Sequence, residues 1–375
     1  MIIAGGGTGG HLFPGLALAE EFKKRDSSTE VVFVGTEHGI EARIIPREGY
    51  PLKFLRTEGI VGRSLLKKTK AGFKLLLSFV DANRILKEVM PDIVIGVGGY
   101  ASGAIVFAAG MKSIPTMIHE QNSVPGLTNK MLGNVVQRIC VTYQESRSSF
   151  PMGKTFLTGN PIRARILKGD KESAYKLFSL EKDLFTVFVF GGSSGAKSIN
   201  RAMVDTLNHL GDLKDKIQFL HQTGSADFDN IREAYRKAGV KAMIAPFIYQ
   251  MAEAYSIADI VISRAGATTL AELTALGKPA ILIPYPFAAG RHQEFNAIKL
   301  REMGAAFMIL DNELNGEIIA EHISDMYKND SLRADMQRAS RGLGSPDACT
   351  RIVDVAVSLI KSSSEKKWVK GGKQG

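Results

Sequence analysis

The sequence predicts an α/β protein built from two Rossmann-like parallel-sheet domains that face each other across a cleft, and three observations carry this. Short β-branched strands alternate with helical stretches along the whole chain. A glycine-rich strand-to-helix turn occurs twice, as Gly5-Gly6-Gly7-Thr8-Gly9-Gly10-His11 and as Gly191-Gly192-Ser193-Ser194-Gly195. The length, 375 residues, is too great for one doubly wound layer and suits two domains of about 150 to 200 residues.

Composition narrows the class. With 45% hydrophobic and 23% charged residues, the chain is neither a disordered nor a membrane-embedded type. Its two cysteines, Cys140 and Cys349, have no metal or redox spacing and read as small core residues in a reducing compartment. The opening apolar run ends after four residues and has no basic region before it, so no cleaved signal is expected. The uncharged run Ile93 to Met111 is broken by Gly96, Gly98, Gly99, Ser102 and Gly103 and reads as strand, loop and helix rather than a membrane span. A net charge of +10 asks for a polyanionic neighbour, and nucleic acid, an anionic membrane or phosphorylated substrates would each serve.

In the first half, strands are expected at about Ile2 to Ala4, Val31 to Val34, Ile93 to Val97, Thr116 to Ile118 and Arg138 to Val141. A helix is expected from about Pro14 to Arg25. The opening glycines let the backbone approach a ligand closely, and the helix start beyond them favours an anion. Because Gly5-x-Gly7-x-x-Gly10 also satisfies the dinucleotide fingerprint, and Glu37 lies near the position of a ribose-binding acid, a nicotinamide oxidoreductase stays open at this point. Ligands collect at the carboxyl ends of parallel strands. That rule selects the loops Gly35-Thr36-Glu37, Gly98-Gly99-Tyr100-Ala101-Ser102-Gly103 and His119-Glu120-Gln121-Asn122 beside the opening one.

Between the second and third strands, basic residues at 67, 70 and 74 share one helical face, while Leu66, Phe73, Leu76, Leu77 and Val80 can share another. With Ile60, Val61, Leu65 and Lys68 they suggest a membrane-surface patch; the alternative is a solvated basic face on a core helix.

Gly159-Asn160-Pro161 cannot continue regular structure and marks a domain boundary. The expected division is 1–161, with a C-terminal helix at about 346–361 packing back on it, then 162–345, then a disordered tail at 362–375. The second half restarts with a strand from Phe185 to Phe190, followed by strands near Ile217 to His221, Lys241 to Ala245, Ile260 to Ser263, Ala280 to Pro284 and Ala306 to Ile309. The segment Arg264-Ala265-Gly266-Ala267-Thr268-Thr269-Leu270-Ala271-Glu272 opens a helix after a glycine and offers a second diphosphate cradle. The triplet Asp227-Phe228-Asp229 resembles a DxD metal motif but reads better as a helix start, and no metal is expected.

Taken in order, GGGTGGH, GVGGYASG, HEQN, GNPIR, GGSSGA, RAGATTLAE and GRHQEFNA resemble the MurG family of glycosyltransferases, which have the GT-B architecture; the likeness runs from Gly5 to about Leu359. The resemblance implies transfer of N-acetylglucosamine from UDP-GlcNAc, with inversion, to the C4 hydroxyl of undecaprenyl-diphospho-N-acetylmuramoyl-pentapeptide, converting lipid I to lipid II. It implies no cofactor and no nucleic-acid partner. It implies a peripheral location on the cytoplasmic face of an anionic cell membrane, with other cell-wall synthesis proteins as further partners. Carried over onto this chain, the donor site takes Arg163, Ser193, Ala267, Thr268, Thr269, Leu270, Ala271 and Glu272, with Glu272 on the ribose. Ile248 then meets uracil through its backbone, and Asn122 and Gln293 read the sugar hydroxyls. His11 is the candidate base, with Glu120 as the second candidate or as the group that orients His11. Thr8, Gly9 and Gly10 are placed, with Gly98 to Gly103, to meet the acceptor diphosphate. The family's second loop often reads GGSQG, so Ser194 receives no role. A non-catalytic sugar-nucleotide-binding protein and a UDP-GlcNAc 2-epimerase remain as alternatives.

Overall fold

The computed structural model describes residues 1–56, 65–192 and 195–371, with side chains set aside at 65–76, 364 and 366–371. Two compact units emerge: Met1–Arg163 with Pro346–Gly375, and Ala164–Ser345.

Unit 1 runs β1 (Ile2–Ala4), α1 (Gly9–Arg25), β2 (Val32–Gly35), α2 (Glu41–Arg47), β3 (Leu52–Phe54), α3 (Leu65–Val89), β4 (Val94–Gly96), α4 (Tyr100–Met111), β5 (Thr116–Glu120), α5 (Leu127–Leu132), β6 (Arg138–Val141) and β7 (Thr155–Leu157). Its sheet is parallel throughout, in the order β3-β2-β1-β4-β5-β6-β7. Ile2 and Ala4 of β1 face one apolar layer and Ile3 the other, so helices cover both faces. The run Ile93 to Met111 is strand, loop and helix. Cys140 is buried and Cys349 half-buried, both as free thiols.

Unit 2 runs α6 (Lys171–Phe178), β8 (Phe185–Phe190), α7 (Lys197–His209), β9 (Ile217–Gln222), α8 (Phe228–Ala238), β10 (Ala242–Ala245), α9 (Met251–Ile257), β11 (Ile260–Ser263), α10 (Ala267–Leu276), β12 (Ala280–Leu282), α11 (His292–Glu302), β13 (Ala306–Met308), α12 (Gly316–Lys328) and α13 (Asp330–Leu343). The sheet, again parallel, has the order β10-β9-β8-β11-β12-β13. Val187 and Val189 face one layer, Phe188 and Phe190 the other.

The chain then returns to unit 1 as α14 (Ala348–Gly371), where Ile352, Val353, Ala356 and Leu359 join the layer formed by Leu12, Leu16 and Phe22 of α1. Arg25 fastens this return by donating to Asp354 and to the Thr350 carbonyl.

Three elements differ from the expectations. α1 begins at Gly9, not at Pro14, because the Thr8 carbonyl already accepts from the His11 and Leu12 amides; His11 therefore lies in the first helical turn. β3 escapes sequence reading because it is a partly exposed edge strand with Lys53 at its centre, so it lacks the apolar run of its neighbours. α14 continues past Lys361, since the residues that follow are helix-tolerant Ser, Glu and Lys with no glycine or proline before Gly371. The basic patch at 60–74 and residues Ser193 and Ser194 lie outside the residues, or the side chains, that are described.

Candidate active site

In each sheet the order reverses at one place, beside β1 in unit 1 and beside β8 in unit 2, and ligand crevices open at the carboxyl ends of strands at such points. In unit 1 these are the loops after β1 and β4.

The half-buried His11 stands between them. Its Nδ1 lies 3.1 Å from the Gly6 carbonyl oxygen and 3.4 Å from Thr8 Oγ1. A carbonyl only accepts, so Nδ1 is the nitrogen that donates here. The ring packs on the loop after β4: a Cβ on Gly98 would come within 2.6 Å of His11 Cδ2 and 2.8 Å of Nε2, and one on Gly99 within 2.7 Å of the Gly6 oxygen. Both glycines also have positive φ, 101° and 82°. The slot for the imidazole thus accounts for GVGG.

The opening loop already holds an anion, and it belongs to the chain. The Glu41 carboxylate, 1% exposed, accepts from the Gly7 amide at 2.8 Å and from Thr36 N and Oγ1 at 2.8 and 2.9 Å. A Cβ on Gly6, Gly35 or Gly39 would overlap it. Glu37, the candidate ribose acid of the oxidoreductase reading, is exposed instead.

Glu120 is not the partner of His11. Its Oε1 accepts from the Asn122 amide and side chain, at 2.9 and 3.2 Å, and its Oε2 from Gly126 N and Asn129 Nδ2, at 3.1 and 2.8 Å. Four short-range donors at the end of β5 fold the following turn around this buried carboxylate, and the group that orients His11 is the Gly6 carbonyl. Asn122 is therefore held by Glu120. Nearby, His119 donates from Nε2 to the Gly159 carbonyl at 3.0 Å, and burial lowers its pKa to about 4, so it is neutral. Asn160 is buried with neither side-chain polar atom partnered among the described residues. Arg163 belongs to unit 1: its guanidinium lies 4.6 Å from the Phe13 ring centroid and 3.8 Å from Glu48.

In unit 2 the loop after β8 is held differently. Gln222, at the end of β9, donates from Nε2 to the Gly192 carbonyl at 2.9 Å and accepts from Ile248 N at 2.8 Å. The Ile248 amide expected to meet uracil is thus bonded to Gln222. Beyond β11, Gly266 precedes α10, whose first turn carries Ala267, Thr268 and Thr269 and no acidic residue. Leu270 and Ala271 carry the chain on to Glu272, which is 6% exposed and accepts from Tyr255 Oη at 2.9 Å. A surface acid is thereby ruled out. Arg264 ties this loop to the next, donating to the carbonyls of Ile283 and Pro284, to Asp311 at 2.5 Å and to Ser198 Oγ at 2.7 Å. Gln293 accepts from Tyr285 N at 3.0 Å, and among the described residues its side-chain NH2 has no acceptor. Asp227 precedes α8 without capping it and accepts from Asn200, while Asp229, in the first turn of α8, pairs with Arg232.

Sequence reasoning passes over Glu41 and Gln222. For Glu41 a signal exists in the glycines at 6, 35 and 39, which need something to make room for; for Gln222 it is a buried polar residue closing a central strand.

Comparisons with known proteins give the class. Residues 1–141 match the glycosyltransferase family 28 N-terminal domain and residues 186–352 its C-terminal domain, so the chain is a two-domain glycosyltransferase of GT-B architecture. A UDP-N-acetylglucosamine–N-acetylmuramyl-(pentapeptide) pyrophosphoryl-undecaprenol N-acetylglucosamine transferase from Thermodesulfovibrio yellowstonii is 50% identical over 96% of this chain and 99% of its own. One from Myxococcus xanthus is 47% identical over 96% and 93%. The crystal structure of MurG from Acinetobacter baumannii superposes with a TM-score of 0.72 at 29% identity, over 94% of this chain and 98% of that one. The chain belongs to this family, the MurG N-acetylglucosamine transferases. A UDP-GlcNAc 2-epimerase from Neisseria meningitidis superposes at 0.68 with 14% identity, over 95% and 98%, and shares the fold alone.

Proposed function

We propose that this enzyme transfers N-acetylglucosamine from UDP-GlcNAc to the C4 hydroxyl of undecaprenyl-diphospho-N-acetylmuramoyl-pentapeptide, making lipid II from lipid I, with the donor held by unit 2 and the base supplied by unit 1. The observation that carries the reading is near-half identity, over almost the whole length, to transferases named for this reaction.

The site residues support it chemically. Direct displacement needs a base for the acceptor hydroxyl, and His11 is an imidazole whose Nδ1 is tied to the Gly6 carbonyl, which makes Nε2 the nitrogen to take the proton. The departing diphosphate gains negative charge, which the α10 start and the hydroxyls of Thr268 and Thr269 can meet more strongly in the transition state than before. Glu272, anchored by Tyr255, suits the ribose hydroxyls, and the Gln293 NH2 can donate to a sugar oxygen. Uracil pairing with the Ile248 amide requires that amide to leave Gln222.

A peripheral membrane location is part of the proposal. Among the described residues no helix is long and apolar enough to cross a membrane. Exposed Phe107 and Met111 on α4 and Leu127 and Met131 on α5, beside Lys112 and Lys130, support a patch that meets an anionic surface.

Incubation with UDP-GlcNAc and a short-chain lipid I analogue should add one N-acetylhexosamine to the acceptor and release UDP. Hydrolysis or epimerisation of the donor with an unchanged acceptor mass would reject the reading.

A further inference from the structure

The Gly6-Gly7 peptide unit is gripped at both ends. Its carbonyl oxygen lies 3.1 Å from His11 Nδ1, and its N–H donates to Glu41 Oε2 at 2.8 Å. A carboxylate, one peptide group and an imidazole therefore form a continuous line of donors and acceptors. We propose that Glu41 is a positioning residue for the transfer reaction, acting through the Gly6-Gly7 peptide to hold His11 as the Nδ1–H tautomer, so that Nε2 is the nitrogen that takes the acceptor proton. This rests on the reading of His11 as the base.

Three features separate this from an ordinary buried acid. A carboxylate taken out of water is costly unless several donors meet it, and three do, all from the loops after β1 and β2. Gly6, Gly35 and Gly39 leave room for nothing but that carboxylate. The equivalent turn of unit 2 is held by the neutral amide of Gln222 and, counted from its first glycine, carries Lys197 where unit 1 carries His11. The charged buckle thus occurs where a histidine follows and the neutral one where none does. A negative charge on the peptide N–H polarises the group and makes its oxygen a better acceptor, because hydrogen bonds in a chain strengthen one another. The result is a preference for one imidazole tautomer without direct contact between acid and ring.

The test uses the full chain labelled with 15N-histidine. Long-range proton–nitrogen spectra report the tautomer of each neutral imidazole, and His11→Gln identifies the His11 signals among those of the seven histidines. Wild type should show protonated Nδ1 and unprotonated Nε2 at His11. In Glu41→Gln the ring should move towards the Nε2–H form or a mixture. The kcat should fall roughly 10–100-fold, by analogy with the loss seen when a partner orienting a metal-bound imidazole is removed, with the KM for UDP-GlcNAc unchanged. An Nε2–H ring in wild type overturns the proposal even where Glu41→Gln does not fold. So does a Glu41→Gln enzyme with unmoved tautomer or with kcat within twofold of wild type. Full turnover by His11→Gln overturns instead the reading of His11 as base, a separate outcome because the tautomer is read without substrate.

Discussion

The two glycine-rich turns of this protein begin from the same local chemistry and end in opposite electrostatic states. After β1, the loop's Gly7 amide is spent on Glu41, a buried anion supplied by the chain itself. After β8, the Gly192 carbonyl is held by Gln222, which brings no charge. The first loop thus spends its Gly7 amide within the chain, whereas the neutral buckle adds no negative charge beside the loop after β8. The lesson is that a glycine-rich turn at a helix start indicates where an anion can be, and the neighbouring side chain decides whether it is internal or a ligand. The same contrast favours an acid-base role for unit 1 and a nucleotide role for unit 2.

The comparison breaks most visibly at the base. His11→Ala should lower kcat by about 10² to 10⁴, the usual worth of general-base catalysis, while UDP binding measured by calorimetry stays as in wild type. A loss of UDP affinity instead would move the nucleotide to unit 1.

The buried histidines sharpen it next, because each unit holds one that is not chemical. Burial lowers the pKa of His119 to about 4 and that of His221 to about 3. Below about pH 6.5 the unfolded chain takes up protons that these folded imidazoles refuse. Their contribution to stability is complete at pH 7 and is lost as pH falls from 6.5 towards 4. The expected loss for His119 is about 3 kcal/mol by pH 4. Denaturant melts from pH 7 to 4.5 should show the decline, and His119→Gln should flatten it.

Within unit 2, Glu272→Gln should raise the Kd for UDP roughly 10–100-fold, since hydrogen bonds to a charged group contribute about 1.5–3 kcal/mol, with acceptor KM unaffected. Equal weakening for UDP and for uracil alone would argue against a ribose contact. The smallest effect is expected from Gln222→Leu, which leaves the Gly192 carbonyl and the Ile248 amide without their partner. Stability should drop by about 1–3 kcal/mol, and the Kd for UDP should rise severalfold as the loop after β8 loosens. A tighter complex instead would mean that release of the Ile248 amide from Gln222 limits binding.

Much of this was legible in residue order. Local steric and solvation preferences act between near neighbours, so Val187 to Phe190 reads as a covered strand, Gly266 before Thr268 and Thr269 as a helix start, and His11 as a polar group at a loop end. Glu120 illustrates the limit: a carboxylate next to a histidine looks chemical, yet four donors within ten residues consume it. Glu37 and Glu41 are both acids following β2, and one is exposed while the other is the most enclosed carboxylate of the loop. Their difference arises only when the turn after β2 is laid beside the turn after β1.

Periodicity and glycine placement in the chain were enough to establish parallel alternation, the repeat of the turn, and the residue types available for anion binding and proton transfer, because those follow from backbone sterics and short-range burial. Which glycine loop carries its own anion, which nitrogen of His11 bears the proton, and which acids are consumed by the scaffold depended on folding. They are set by contacts such as Gly7 with Glu41 and Gly192 with Gln222, between residues thirty or more apart. Such contacts exist only once the parallel sheet has brought the ends of adjacent strands to one rim.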